Sequence, residues 1–167
     1  LRYTPQFSTA TQYFKHYSLS NIKLHTRDNQ PYPAGKAKLQ ELIAQRIDPF
    51  LFAGNSLDEA ITASGGLIRT LIALIRDAAV NAVVRESEKI ESQDVKSAIA
   101  SLRGDFIAML ETRHYPILKA RYEDKNLDSD QETQELLESL ALLEYDNDTF
   151  WCDVHPIVLP VVLERTQ

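Results

Sequence analysis

Arg69 stands three residues beyond the glycine pair Gly65-Gly66, at the head of a long apolar run that continues to Ala79. A helix opening here leaves its first N–H groups without intrahelical partners, and those groups carry partial positive charge. A guanidinium in that first turn can join them around a phosphate, and the glycines let a backbone or a phosphate come close. An arginine held this way can register the loss of a terminal phosphate. The same spacing also suits a surface arginine paired with a nearby carboxylate, and spacing alone leaves both readings open.

No other reactive side chains are spaced as a site. The chain lacks G-x-x-x-x-G-K-[ST], so it does not cradle a triphosphate by itself. It also lacks G-x-S-x-G and any paired-cysteine zinc pattern. His16, His25, His114 and His155 are scattered. Cys152 and His155 could share a metal within one hairpin, but two ligands make a weak site, and burial or loop packing is the simpler role for both. The sequence therefore yields no catalytic constellation and no metal site.

The elements that must position Arg69 read mainly as helices. Thr9 to Tyr17 has Tyr13, Phe14 and Tyr17 spaced for one side of a short helix. Asn21 to Thr26 alternates apolar and polar residues, as a short strand does, and Asp28 to Gly35 reads as a loop or linker. Lys36 to Ile47 sets Leu39, Leu42, Ile43 and Ile47 at helical spacing, and Pro49 interrupts it. Phe50, Leu51 and Phe52 are expected to plug a core. Ser56-Leu-Asp-Glu59 has the form of a capping box for a helix that stops at Gly65-Gly66.

The long helix is predicted over Gly66 to Glu86. Ile68, Leu71, Ile72, Ile75, Ala79, Ala82 and Val83 form its broad apolar face; Arg69, Ala73, Arg76 and Asp77 mark a narrow polar side. Ser92 is expected to cap the next helix, which carries Val95, Ala98, Ile99 and Leu102. Residues 36–102 thus read as a helical bundle, preceded by residues 1–35.

Residues 103–167 differ in texture. Asp105 to Tyr122 is predicted helical with a kink or split at Pro116, and Ser129-Asp-Gln-Glu132 is a second capping-box pattern. Leu142 to Tyr145 and Phe150 to Val154 flank Asp146-Asn-Asp-Thr149 as a β-hairpin. An apolar stretch from His155 to Leu163 closes the chain. The fold class expected is mainly α, with one hairpin.

Composition sets the outer limits. The 167 residues are 44% hydrophobic and 25% charged, as in a soluble globular chain, and no apolar run reaches the length of a membrane helix. Cys152 is the only cysteine, which excludes an internal disulfide and makes the cytosol the expected compartment. A chain opening on Leu1 is expected to be processed or cut from something longer. The net charge of -6 is uneven: from Glu123 onward twelve acids face Lys125 and Arg165, a local balance of -10. Such a segment repels a phosphate backbone.

The run Gly66-Leu-Ile-Arg69, then Ala78-Ala79, then Ile90-x-x-x-Asp94-Val95-x-x-Ala98 resembles the helical lid of AAA+ ATPases, most closely the replication-initiator branch. In that branch a G-x-x-R motif begins one lid helix, and an I-T-x-x-D-V-x-x-A segment begins the next. Asn21 to Thr26 is similar to the last strand of such a core, and the order helix, helix, hairpin, short helix is similar to the winged-helix module that follows a lid. The resemblance implies a remnant of the core and linker over 1–35, a lid over 36–102 and a winged helix over 103–167. It implies that Gly65, Gly66 and Arg69 form a sensor-2 site contacting ATP, with magnesium, on a nucleotide-binding core supplied from elsewhere. The acidic C-terminal unit points to the STAND-type signalling ATPases, whose winged helices mostly pack against protein. ATP hydrolysis is then expected only with a P-loop core, and none from these residues alone. Two other functions are weighed: a DNA-binding winged-helix protein, which the acidic unit disfavours, and a helical interaction domain dimerising through Trp151 and the tail Ile157 to Leu163.

Overall fold

The structure, a computed structural model, describes residues 20–128, 130–147 and 149–166. The predicted Thr9–Tyr17 helix, Ser129 of the second capping pattern and Asp148 of the hairpin turn lie outside the described residues. The described chain is mainly α-helical, with one small antiparallel sheet. Its helices are α1 (Pro33–Ala44), α2 (Ser56–Ala63), α3 (Ile68–Val84), α4 (Ser92–Met109), α5 (His114–Asp124), α6 (Gln131–Glu138) and α7 (Leu159–Arg165); β1 (Leu142–Asn147) and β2 (Thr149–Val154) form the hairpin between α6 and α7. Among the described residues no helix is long and apolar enough to cross a membrane.

Leu71, Leu74, Ile75, Ala78 and Ala82 recur at helical spacing and make the buried face of α3. They share one apolar cluster with Val95, Ala98 and Phe106 of α4, Ala60 and Ile61 of α2 and Leu39 and Ile43 of α1. The same apolar cluster continues through Leu118 of α5, Leu136 of α6, Leu142 and Val154 of the hairpin and Val162 of α7. Each large aliphatic side chain fully buried here contributes about 1.5–3 kcal/mol. α4 runs unbroken across positions 102 and 103 to Met109, so bundle and C-terminal unit share a helix as well as a core.

Several local expectations are corrected. Phe50 is 81% exposed and Leu51 also lies on the surface, because the turn Pro49–Leu51 turns outward while only Phe52 bridges Ile90. Ser56 and Glu59 do not form a capping box: the Ser56 hydroxyl donates to the Ile90 carbonyl at 2.9 Å, and the Glu59 carboxylate accepts from the Ser92 hydroxyl. Ser92 is thereby taken from its predicted cap. At that helix start the Glu91 N–H instead donates to the Asp94 carboxylate at 2.8 Å. The stretch Asp105 to Tyr122 is split as expected, between Met109 and His114, and Pro116 bends nothing in the first turn of α5, where its missing N–H has no partner to lose. Asn21 to Thr26 makes one isolated bridge, His25 with Pro31, in place of a strand.

The hairpin is longer than predicted. Its register pairs Leu142 with Val154, Tyr145 with Trp151 and Asn147 with Thr149, so residues expected in the turn are in the ladder. Trp151 is buried within the chain, as are Ile157, Val158 and Val162, which removes them from the dimer surface considered above. The tail folds back into the main apolar cluster through Ile157, Val158 and Val162, and Arg103 Nε donates to the Ile157 carbonyl at 2.9 Å.

Candidate functional site

α3 begins at Ile68, two residues later than predicted, and Arg69 falls in its first turn. Leu67 is the N-cap and offers no side-chain acceptor. The Leu71 N–H closes the first helical bond on the Leu67 carbonyl, leaving the N–H groups of Ile68, Arg69 and Thr70 without an acceptor among the described residues. The Arg69 side chain is exposed and has no ion-pair or hydrogen-bond partner among the described residues. It lines a cleft of about 250 Å³ with Ser20, Asn21, Gly66, Leu67, Ile68 and Leu140. Free N–H dipoles and an unpaired guanidinium facing one cleft are suited to an anion.

Gly65 and Gly66 are buried, and what approaches them is protein. Both have positive φ, +60° and +82°. A Cβ on Gly66 would collide with the Ile22 carbonyl, and the Ile22 N–H donates to the Gly66 carbonyl at 3.2 Å. A Cβ on Gly65 would meet Leu143 of β1 and the Pro156 ring. The glycine pair is therefore where segment 20–25 and the hairpin close on the start of α3. Arg69 alone of the three predicted residues presents its side chain to solvent.

The exposed face of α3 changes the reading of that helix. Ile72 is 48% exposed, Val80 57% and Val83 73%, and their spacing places them on the side of Arg69 and Arg76. Ile72 and Val83 were expected in the broad buried face; α2 and α4 cover only the opposite arc. Over 17 residues this face runs for about 25 Å.

Contacts that sequence reasoning missed gather within the C-terminal unit and tie it to the N-terminal segment through His25 and Arg27 and to the glycine pair through Tyr145. Lys125, in a left-handed turn at the end of α5 (φ 57°), sends its ammonium into the interior to Asp153 at 2.7 Å. His25 Nε2 lies 3.4 Å from the same Asp153 oxygen, and its ring stands edge-on to Trp151. Arg27 donates to the Asn126 side chain at 2.7 Å and to the Asp124 carbonyl at 3.2 Å. Tyr145 stacks on Trp151 with ring centroids 4.5 Å apart and donates its hydroxyl to the Gly65 carbonyl at 2.6 Å. Burial, and then the Asp153 charge, pushes the tyrosine pKa up, so the hydroxyl remains a donor. The signal for this cluster was the period of two that puts Leu143 and Tyr145, and Trp151 and Asp153, on one face of the ladder.

Cys152 and His155 go separate ways. The Cys152 thiol donates to the Asn126 carbonyl, and burial pushes it up to about 12. His155 Nδ1 accepts from the Ile157 N–H at 3.2 Å beside the Phe106 ring, and burial holds the imidazole down at about 4. Among the described residues no three His, Cys, Asp or Glu side chains cluster as metal ligands. Comparison of the chain with protein-family models, with curated proteins and with solved structures finds no match.

Proposed function

We propose that this chain is the C-terminal regulatory part of an ATP-binding AAA+ or STAND-like ATPase: a lid with a sensor-2 arginine, joined to a winged helix that relays nucleotide state to a protein partner. The observation that carries the reading is Arg69, unpaired at an uncapped helix start and heading an uncovered apolar face of the same helix. A face of that kind suits a second body, here a nucleotide-binding core, which would cover Ile72, Val80 and Val83 while presenting a phosphate to Arg69. The fit to a nucleotide is partial. A cleft of about 250 Å³ falls below the roughly 300–1,000 Å³ of small-molecule pockets, and its lining holds no carboxylate for magnesium. The residues here would hold one phosphate edge; base, remaining phosphates and metal belong to the core. Arg69 and the three N–H groups bind and orient that phosphate, and its loss on hydrolysis removes their partner.

The order α5, α6, hairpin, α7 supports the winged-helix reading. α6 would then be the helix offered to a groove, and it carries Glu132, Glu135 and Glu138 with no lysine or arginine. An acidic helix without a lysine or arginine repels a phosphate backbone, which favours an output to protein over one to DNA. In the parent gene product Arg69→Ala should lower nucleotide-dependent hydrolysis or assembly at least tenfold, the order expected for losing a charge-assisted phosphate contact. Circular dichroism should be unchanged, because Arg69 supports no fold contact among the described residues. Hydrolysis and nucleotide-dependent assembly both at the parent level would refute the assignment.

A further inference from the structure

Tyr145 reaches further than its place on β1 suggests. Its side chain is 2% exposed, and its hydroxyl crosses from the hairpin to the Gly65 carbonyl, 80 residues away in sequence. Two other bonds close a ring with it. Asn21 Nδ2 donates to the Glu144 carbonyl at 3.0 Å, and the Ile22 N–H donates to the Gly66 carbonyl. Hairpin, segment 20–22 and glycine pair therefore hold one another in a closed circuit. The tyrosine hydroxyl is the direct hydrogen bond from hairpin to glycine pair.

The energetics of this bond favour two positions over a continuum. A buried hydroxyl and a buried carbonyl are both satisfied when docked. A slight withdrawal leaves both unpaired and still dry, the costly condition for polar groups; only a withdrawal large enough to admit water restores partners. Leu143 and Pro156, packed where Gly65 lacks a side chain, part in the same movement. Gly65 lies three residues before Ile68, and the Leu67 N–H bonds back across it to the Ser64 carbonyl at 3.1 Å, so a shift of the Gly65 carbonyl strains the turn that leads into α3.

We infer that Tyr145 is a latch that makes displacement of the hairpin and displacement of the α3 start a single event. The latch stands on its own contacts; only its consequence for phosphate contact rests on the function proposed above. Hydrogen exchange on the present chain tests it. Under mild denaturant the amides of Ile22, Gly65, Gly66 and Leu67 should open with the same free energy and denaturant slope as those of the hairpin, below the value for the α3–α4 core. Tyr145→Phe keeps the ring stack and removes one oxygen, and it should speed exchange about tenfold in both groups together. Trp151, the only tryptophan, reports that the stack persists. Exchange that quickens in the hairpin alone overturns the latch. So does wild-type exchange in which the glycine pair opens apart from the hairpin, a result that needs no variant to fold. Coupled exchange together with unaltered nucleotide hydrolysis by Arg69→Ala in the parent protein would instead sink the sensor reading and leave the latch standing.

Discussion

Replacing Gly66 by alanine tests whether the glycine pair is a junction between protein segments. At φ +82° an alanine pays the left-handed penalty, about 1–2 kcal/mol. Its Cβ also enters the space of the Ile22 carbonyl, which must retreat and break the Ile22–Gly66 hydrogen bond, another 1 kcal/mol or so. The sum is about 2–3 kcal/mol, or roughly 4–12 °C in melting temperature for a chain of this size. Gly54→Ala supplies the control: its φ is +57° but nothing lies within 4 Å of the added carbon, so only the backbone cost of about 1 kcal/mol applies. Both substitutions restrict the unfolded chain equally, and that effect cancels between them. Urea unfolding followed by Trp151 fluorescence should show Gly66→Ala less stable than Gly54→Ala by about 1–2 kcal/mol. Equal midpoints would mean that segment 20–22 does not bear on Gly66, and the junction would be refuted.

Two further outcomes concern buried ionisable groups. His155 is held at about 4 in the folded chain against an ordinary 6.5, so below about 6.5 the unfolded state binds more protons. Stability should rise with pH between those two values and level off above them, and His155→Gln should flatten that rise in urea midpoints; an equal slope in the variant would contradict the burial argument. The Asp94 carboxyl is held below the usual range first by Arg85, with bonds of 2.9 and 3.2 Å, and then by the Glu91 N–H, against the effect of burial. Its contribution is present above about pH 4 and is lost as pH falls through the lowered folded value. Asp94→Ala should cost about 2–3 kcal/mol at pH 7; a loss under 1 kcal/mol by denaturant titration would show the network to be solvent-screened.

The parts of the fold that were legible from the residues are those set by periodicity. The helical spacing of Leu71, Leu74 and Ile75 and the alternation around Tyr145 and Trp151 required no knowledge of neighbours. The caps were misread because Ser56, Glu59 and Ser92 have tertiary partners whose positions no local pattern contains. Phe50 was placed inside on hydrophobicity alone, a rule that runs one way only. At the site, the sequence identified glycines that admit close approach but could not say that Ile22, Leu143 and Pro156 do the approaching. The Lys125–Asp153 pair was equally hidden, since a lysine after a helix reads as surface until the left-handed turn carries it inward.

The buried glycines and the exposed arginine belong to one arrangement. An arginine on a frayed helix end would contact a phosphate in many orientations and transmit nothing when the phosphate left. Here the residues before it are clamped on two sides, by the Ile22 backbone at Gly66 and by the Tyr145 hydroxyl at Gly65, while the guanidinium itself makes no hydrogen bond or ion pair among the described residues. A rigid base fixes where the charge sits, and a free tip leaves it available to a ligand. Because the base is shared with the hairpin, a force on Arg69 acts on the C-terminal unit through a few buried bonds within four residues, and not through a long chain of soft contacts. On the function proposed above, that short path is the route by which phosphate occupancy at Arg69 would reach the C-terminal unit, and it requires no charge on α6.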